Sequence, residues 1–374
     1  MKWINLNWPL MVAALLPWGS LALAALLIPR LTRPDLFFSV TVNPTFRQSP
    51  AGREILRRYD RAIFVIALMA LLLIGFVRFG TSPLVIIGLL GPVMIELAGW
   101  FAAFISARRR TMPYHAEPSA QREATLQPRQ VSLPGGWLAQ AGPFLILAAI
   151  CVCLWLRWDS IPERIPIHWG ISGRPDGWAA RSPAAVFGCA GIGSLICLLL
   201  ASLWYATLHG VRRIHSSGYR AIREARFIRV VSFFMLGVEY WVALLMGLLS
   251  LAALRANQAA PLPGLWPMIL GQALLIGSIF FIALRAGQGG WRWGTPDGSQ
   301  TVPADSPPVG DRTPDACWKL GLFYVNRNDP ALFVEKRFGI GWTLNFANPR
   351  VWLVIGAILF FVLATLAISL RTAP

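Results

Sequence analysis

The sequence predicts an all-α polytopic membrane protein of about eight spans, with a small cytoplasmic β module before the last helix. Three observations predict it. Eight apolar stretches run at approximately 9–28, 62–79, 84–105, 138–156, 184–208, 230–254, 264–284 and 351–370, and a hydrocarbon core about 30 Å thick is crossed by roughly 20 apolar residues of helix. Lysine and arginine load onto alternate connections, with seven, five, six and eight on the first, third, fifth and seventh against one, four and one on the others. Hydrophobic residues make up 56 % of the chain, above the roughly 45–50 % of a soluble domain. Positive charge is retained on the cytoplasmic side during insertion. The expected arrangement is therefore a multi-pass protein of a bacterial inner membrane, odd connections inside and both termini outside.

Charge and cysteine content exclude several classes. The net charge of +17 would suit a nucleic-acid binder, but 26 of the 34 basic residues fall on the expected cytoplasmic connections. There, anionic headgroups of the lipid bilayer attract them. No basic segment is interleaved with aromatics as a nucleic-acid groove requires, so no nucleic acid is expected as a partner. The 31 arginines against Lys2, Lys319 and Lys336 fit a GC-rich bacterial genome. Cys151, Cys153, Cys189 and Cys197 fall inside expected spans and Cys317 outside them, which is not a disulfide framework. The first apolar stretch reads as a retained span and not a cleaved signal, because only Lys2 precedes it while Arg30 and Arg33 follow.

In chain order, residues 1–137 form a three-span region with a cytoplasmic linker. The first connection has proline-broken segments and ends in the basic run Arg53 to Arg61, expected as interfacial helix. Arg108, Arg109 and Arg110 stop the third span. Residues 138–209 form a two-span module around an external loop, 157–182. Its fifth span spaces Ala184 and Gly188, then Gly193, Cys197 and Ala201, by fours, which lets helix backbones approach. Residues 210–284 add two spans behind a basic lead-in, 285–314 reads as a disordered linker, 315–349 is the β module, and 350–374 is the last span with its external tail. In the module, 322–325, 332–337 and 342–346 read as strands, with turns at 326–330 and 338–341.

The external loop concentrates candidate recognition chemistry. Pro162 and Pro166 hold it extended, Pro175-Asp176-Gly177 signals a turn, and Trp169 and Trp178 suit a membrane–water interface. Histidine is the side chain whose ordinary charge change falls near neutral pH, and His168 has Asp176 or Glu163 to orient it. It serves either as a loop-stabilising hydrogen-bonder or as part of a ligand or sensor site. One histidine with scattered carboxylates does not make a zinc site, so no metal is expected. Glu96 and Glu239 fall inside the third and sixth spans, where a charge costs about 2.5–3.5 kcal/mol on insertion scales. Each is either a neutral carboxyl hydrogen-bonded between helices or a proton-relay or substrate group. In the β module, Trp318, Tyr324, Asn326, Asp329, Trp342 and Asn345 mark the turns and strand ends, and Lys336 with Arg337 either grips phosphate groups or anchors the inside face. The chain has no Walker-type loop, dinucleotide fingerprint, nucleophile elbow or helical zinc pair. Enzymatic activity is not expected, nor is a cofactor.

Two segments carry a family resemblance. Pro162, Ile165-Pro166, His168 followed by an aromatic, Gly173 and Pro175-Asp176-Gly177-Trp178 resemble the bacterial membrane family called domain of unknown function 1648. The second pattern comprises Trp318, Gly321, Tyr324, Asn326, Asp329-Pro330, Phe333-Val334, Lys336-Arg337, Gly339, Gly341-Trp342-Thr343-Leu344-Asn345-Phe346 and Pro349. It resembles a companion module, domain of unknown function 5808. The first module also occurs in SdpI-type immunity proteins, which protect a cell from a secreted killing peptide and signal its presence to a membrane-sequestered repressor. The resemblance thus implies an immunity or envelope-signal role, with an extracellular peptide outside and a regulatory protein inside. The residues alone leave a proton-coupled secondary transporter, using Glu96 and Glu239, as the alternative.

Overall fold

The computed structural model describes residues 8–77, 82–117, 134–169, 175–211, 218–255, 265–293 and 313–372. It is mostly helical, with small antiparallel strand pairs at the helix ends. In chain order it comprises α1 (Trp8–Leu31), β1 (Leu36–Phe37), β2 (Val40–Thr41), α2 (Pro50–Val77), α3 (Ser82–Thr111), α4 (Gly136–Leu156), β3 (Arg164–Trp169), β4 (Pro175–Ala180), α5 (Pro183–Gly210), α6 (Gly218–Leu251), α7 (Leu265–Ala286), β5 (Trp318–Lys319), β6 (Phe323–Tyr324), β7 (Phe333–Glu335), β8 (Trp342–Leu344) and α8 (Pro349–Thr372).

Every apolar stretch of the sequence falls on one of these helices. Among the described residues, Gly136–Leu156, Pro183–Gly210, Ile222–Leu254 and Trp266–Gly290 are long and apolar enough to cross a membrane. Leu15–Leu31 and Pro349–Ala364 form shorter apolar helices. α2 spends its first turns on Arg53 to Arg61, and α3 ends in Arg108, Arg109 and Arg110.

Local chemistry sets several helix boundaries. Ser182 caps α5 by accepting a hydrogen bond from Ala185 N–H, and Pro183 follows at the first helical position. Asn348 caps α8 by accepting from Arg350 N–H at 3.1 Å, ahead of which Pro349 again opens the helix.

Helix packing relies on small residues, and α4 meets α6 where Gly142 faces Tyr240. A methyl at Gly142 would lie 1.8 Å from the Tyr240 hydroxyl, which donates to Ala139 O at 3.0 Å. Gly142→Ala is therefore expected to lower stability by about 1–3 kcal/mol through overpacking, read as a lower thermal midpoint of the detergent-solubilised protein. Tyr240→Phe, which removes the hydroxyl, should recover part of that loss. The small residues of α5 divide. A methyl at Gly193 would meet Met246 at 2.7 Å, whereas Gly188 has open space around it, so the packing seam lies at Gly193 and the fully buried Cys197.

α5 runs between two strand assemblies. Its 28 residues span about 42 Å. The β3–β4 hairpin lies at its start. At its end Gly210 O accepts from Leu332 N–H, and Val211 bridges Phe333 of β7. α6 runs back between the same two ends, from Arg223 and Phe227 beside Trp293 to Leu251 beneath the hairpin, where Ala253 follows in the next turn. We call these ends the hairpin face and the knot face.

Two differences from the sequence expectation fall on the knot face. The first connection contains a fully buried hairpin, with Leu36 pairing Thr41 and Phe37 pairing Val40. Its turn residues Phe38 and Ser39 adopt φ of 45° and 64°, the conformation of a tight hairpin turn. Phe38 holds this backbone because its ring lies against Tyr59, Phe104 and Phe338. Secondly, the stretch 285–314 is not wholly a disordered linker. Its start folds into a turn at Gln288–Gly290. There the buried Gln288 side chain accepts from Arg33 N–H and donates to Lys336 O, and Trp291 Nε1 donates to Leu31 O. Composition favoured disorder, but these long-range hydrogen bonds offset it. Residues 294–312 lie outside the described residues.

Candidate functional site

The hairpin face is built from its foundation upward. Ile161 and Ile165 are buried against Leu154 of α4, Val186 of α5 and Ala253. Arg181 closes the base, donating to Trp158 O at 3.0 Å and Ile161 O at 2.8 Å, with its guanidinium over the Trp158 ring. Above this base β3 and β4 pair in register, Arg164 with Ala180, Ile165 with Ala179 and Pro166 with Trp178. The register then shifts on either side of His168, which pairs with Gly177, and Trp169 pairs with Pro175.

The expected turn at Pro175-Asp176-Gly177 is thus the opening of a strand, because pairing with β3 overrides local turn preference and proline is tolerated at a strand's first residue. Gly177 is required by close approach, since a methyl there would lie 2.8 Å from His168 Cβ. The His168 side chain is exposed, Trp169 and Trp178 are half-buried, and Trp178 packs on the isoleucine base with Ile167. Pro162 precedes the hairpin in the half-buried approach. Only the backbone of Asp176 is described, and Gly173 lies outside the described residues.

The knot face gathers the candidate residues of the β module differently from expectation. Tyr324, Asn326, Asp329 and Asn345 form one internal network. The Tyr324 hydroxyl donates to Asp329 Oδ2 at 2.9 Å and accepts from Asn326 Nδ2 at 3.0 Å. The buried Asn345 amide donates to Asn326 O and Asp329 O, both at 2.9 Å, and accepts from Asn326 N–H at 3.1 Å. These groups tie β5–β6 to β7–β8. Gly339 and Gly341, at φ of 101° and 97°, shape the turn between β7 and β8.

Lys336 and Arg337, adjacent in sequence, part company. Lys336 is exposed. The Arg337 side chain is 0 % exposed and donates to Asp315 Oδ1, Thr313 O and Ser39 O. Its guanidinium also lies 5.2 Å from the ring centroid of Trp318, whose Nε1 donates to Thr313 Oγ1. Trp342 wedges between Trp204 of α5 and Phe227 of α6. Phe338, in the turn of the same β7–β8 hairpin, sits 4.5 Å from Phe104 of α3, centroid to centroid. One hairpin therefore grips both α1–α3 and α5–α6.

Beside it, Arg33 bridges Asp35 and Glu335 at 3.0 and 3.4 Å. Arg47 donates to the carbonyls of Thr32, Arg33 and Leu36. Burial lowers the Arg47 guanidinium to about 10, so at neutral pH it remains charged.

The buried carboxyls occupy different helix groups. Glu96 faces a small cavity walled by Leu21, Ala25, Ile63, Ala67 and Trp100, and neither of its oxygens has a hydrogen-bond partner among the described residues. Glu239 is buried where α6 meets α5, its backbone carbonyl accepting from Cys197 Sγ at 3.5 Å. Sequence reasoning missed the β1–β2 hairpin and Gln288. The first had a signal, an aromatic and β-branched run from Leu36 to Val42 between Asp35 and Asn43-Pro44. The second had none.

Comparison with known families fits this geometry. The apolar helices make this a membrane protein. Residues 144–193, which hold the end of α4, the β3–β4 hairpin and the start of α5, match a domain of unknown function (DUF1648). Residues 327–352, which hold β7, β8 and the start of α8, match a family of unknown function (DUF5808). No curated protein and no solved structure matches the chain.

Proposed function

We propose that the chain is a receiver of an envelope signal, or an immunity component, in a bacterial inner membrane. In this reading all eight helices cross, the knot face is cytoplasmic and both ends lie outside. One observation carries it: α5 and α6 each touch the β3–β4 hairpin at one end and the β7–β8 hairpin at the other. A peptide bound at His168 and Trp169 would press on helices whose far ends seat the knot. A cytoplasmic regulatory protein would then read the exposed surface around Arg327, Asn328 and Lys336.

The test is survival of a sensitive bacterium expressing the chain, challenged with a panel of secreted antimicrobial peptides. His168→Ala is expected to abolish protection while changing stability by no more than about 0.5 kcal/mol, as for an exposed side chain. Absence of protection by the unmodified chain against every peptide would sink the reading. One observation favours a proton-coupled transporter instead, the carboxyl of Glu96 in its cavity, without a hydrogen-bond partner among the described residues. Proton-driven flux in liposomes, lost in Glu96→Gln with peptide tolerance unchanged, would select that alternative.

A further inference from the structure

The turn between β5 and β6 places a leucine where backbone geometry favours glycine. Leu320 has φ of 52°, and the left-handed region costs a non-glycine residue roughly 1–2 kcal/mol. Burial does not compensate it, because Leu320 is 56 % exposed, as is 44 % of Phe323 across the turn.

These two residues begin a continuous apolar surface. The Phe323 ring meets Phe346 at 5.7 Å, and Phe346 meets Trp352 at 6.5 Å. Trp352 is 59 % exposed in the first turn of α8, from which the outward surface continues through Leu353 and Phe360. Lys319 and Arg350, both exposed, flank the surface. On its inner side the turn is braced, with Gly321 held against Arg108 at the end of α3 and Leu322 packed on the Phe104–Phe338 cluster.

We propose that Leu320 and Phe323 are an interfacial anchor that enters the same membrane leaflet as the first turn of α8. This rests on reading α8 as a span. The occupant is lipid, because the patch runs without a break into the outward surface of an apolar helix. Trp352 stands at the junction, where an amphipathic ring favours the interface. Lys319 and Arg350 supply the positive charge that anionic headgroups attract. Side chains seated this way lie about 5–10 Å into the headgroup–acyl boundary. The anchor would hold the β5–β6 turn at a set height, and with it the β7–β8 hairpin that joins the helix groups.

The experiment uses the full chain in phospholipid nanodiscs, with p-benzoylphenylalanine introduced in turn at positions 320, 323, 359 and 328. After irradiation, intact-mass measurement is expected to show phospholipid adducts at 320, 323 and 359, and none at 328, an exposed position in the Asn326–Asp329 turn. Adducts at 359 without any at 320 or 323 would overturn the anchor and leave α8 as a span. Absence of adducts at 359 would overturn both. Leu320→Gly keeps the chain foldable, since glycine takes this φ freely. In nanodiscs its 318–324 amides should exchange with deuterium faster than those of the unmodified chain, while in detergent, where relief of the φ strain dominates, they should exchange no faster. Equal exchange in nanodiscs would also overturn the anchor.

Discussion

Replacing Arg337 with methionine is expected to cost about 3–5 kcal/mol, the loss typical of breaking a buried ion pair from one side. The guanidinium is fully enclosed and meets the Asp315 carboxylate together with the carbonyls of Ser39 and Thr313. Methionine fills much of the volume but leaves Asp315 Oδ1 and Thr313 O without their charged donor, while Ser39 O keeps Arg108. Arg337→Lys keeps the charge but cannot reproduce a planar fork that reaches Asp315 and Thr313 together, so it should fall between the two. The measurement is thermal unfolding of the purified protein, with hydrogen exchange over 36–42 and 313–348. Faster exchange in both segments is expected, because Arg337 is the covalent neighbour of one and the hydrogen-bond donor of the other. Unchanged exchange over 36–42 would show that the β1–β2 hairpin does not depend on this contact.

Asn345→Leu is expected to cost at least about 3 kcal/mol, since each buried polar group left unsatisfied costs roughly 1–3 kcal/mol and this change strands several. The amide serves Asn326 N–H, Asn326 O and Asp329 O at once. Asn345→Asp retains the acceptor and loses the donor, so it should preserve only the contacts from Asn326 N–H and Ala347 N–H. Both variants should expose the network through Tyr324, whose hydroxyl depends on Asp329 being held in place. Protease susceptibility of 326–332 would report it. A fully resistant Asn345→Leu chain would mean that the two hairpins are joined by Trp318, Tyr324 and Val334 packing alone. This behaviour would differ from that of a ligand turn, whose loss leaves the fold intact.

Much of this architecture was legible in the chain. The apolar runs became helices because a helix satisfies its own backbone and its length is set by local composition. The proline–histidine segment was recognisable as an ordered element between two apolar helices, and the module's strand runs became β6, β7 and β8. Other features depended on partners far away. Ser39 and Arg337 are 298 positions apart, and nothing near either residue announces the other. The polar string Tyr324, Asn326, Asp329 and Asn345 reads equally well as a binding turn or as a buried network. Only its enclosure decides between them.

The sequence by itself determined which segments are helical, where positive charge collects and which residues line the hairpin. Those properties follow from hydrophobicity, charge and backbone preference within windows of about 20 residues. Tertiary structure decided that Lys336 faces water while Arg337 is sealed inside, that Gln288 joins α1 to the β module, and that one hairpin clasps both helix groups. The reason is physical. A polar side chain can be buried only when its hydrogen bonds are supplied, and here the suppliers come from chain segments that no local pattern connects.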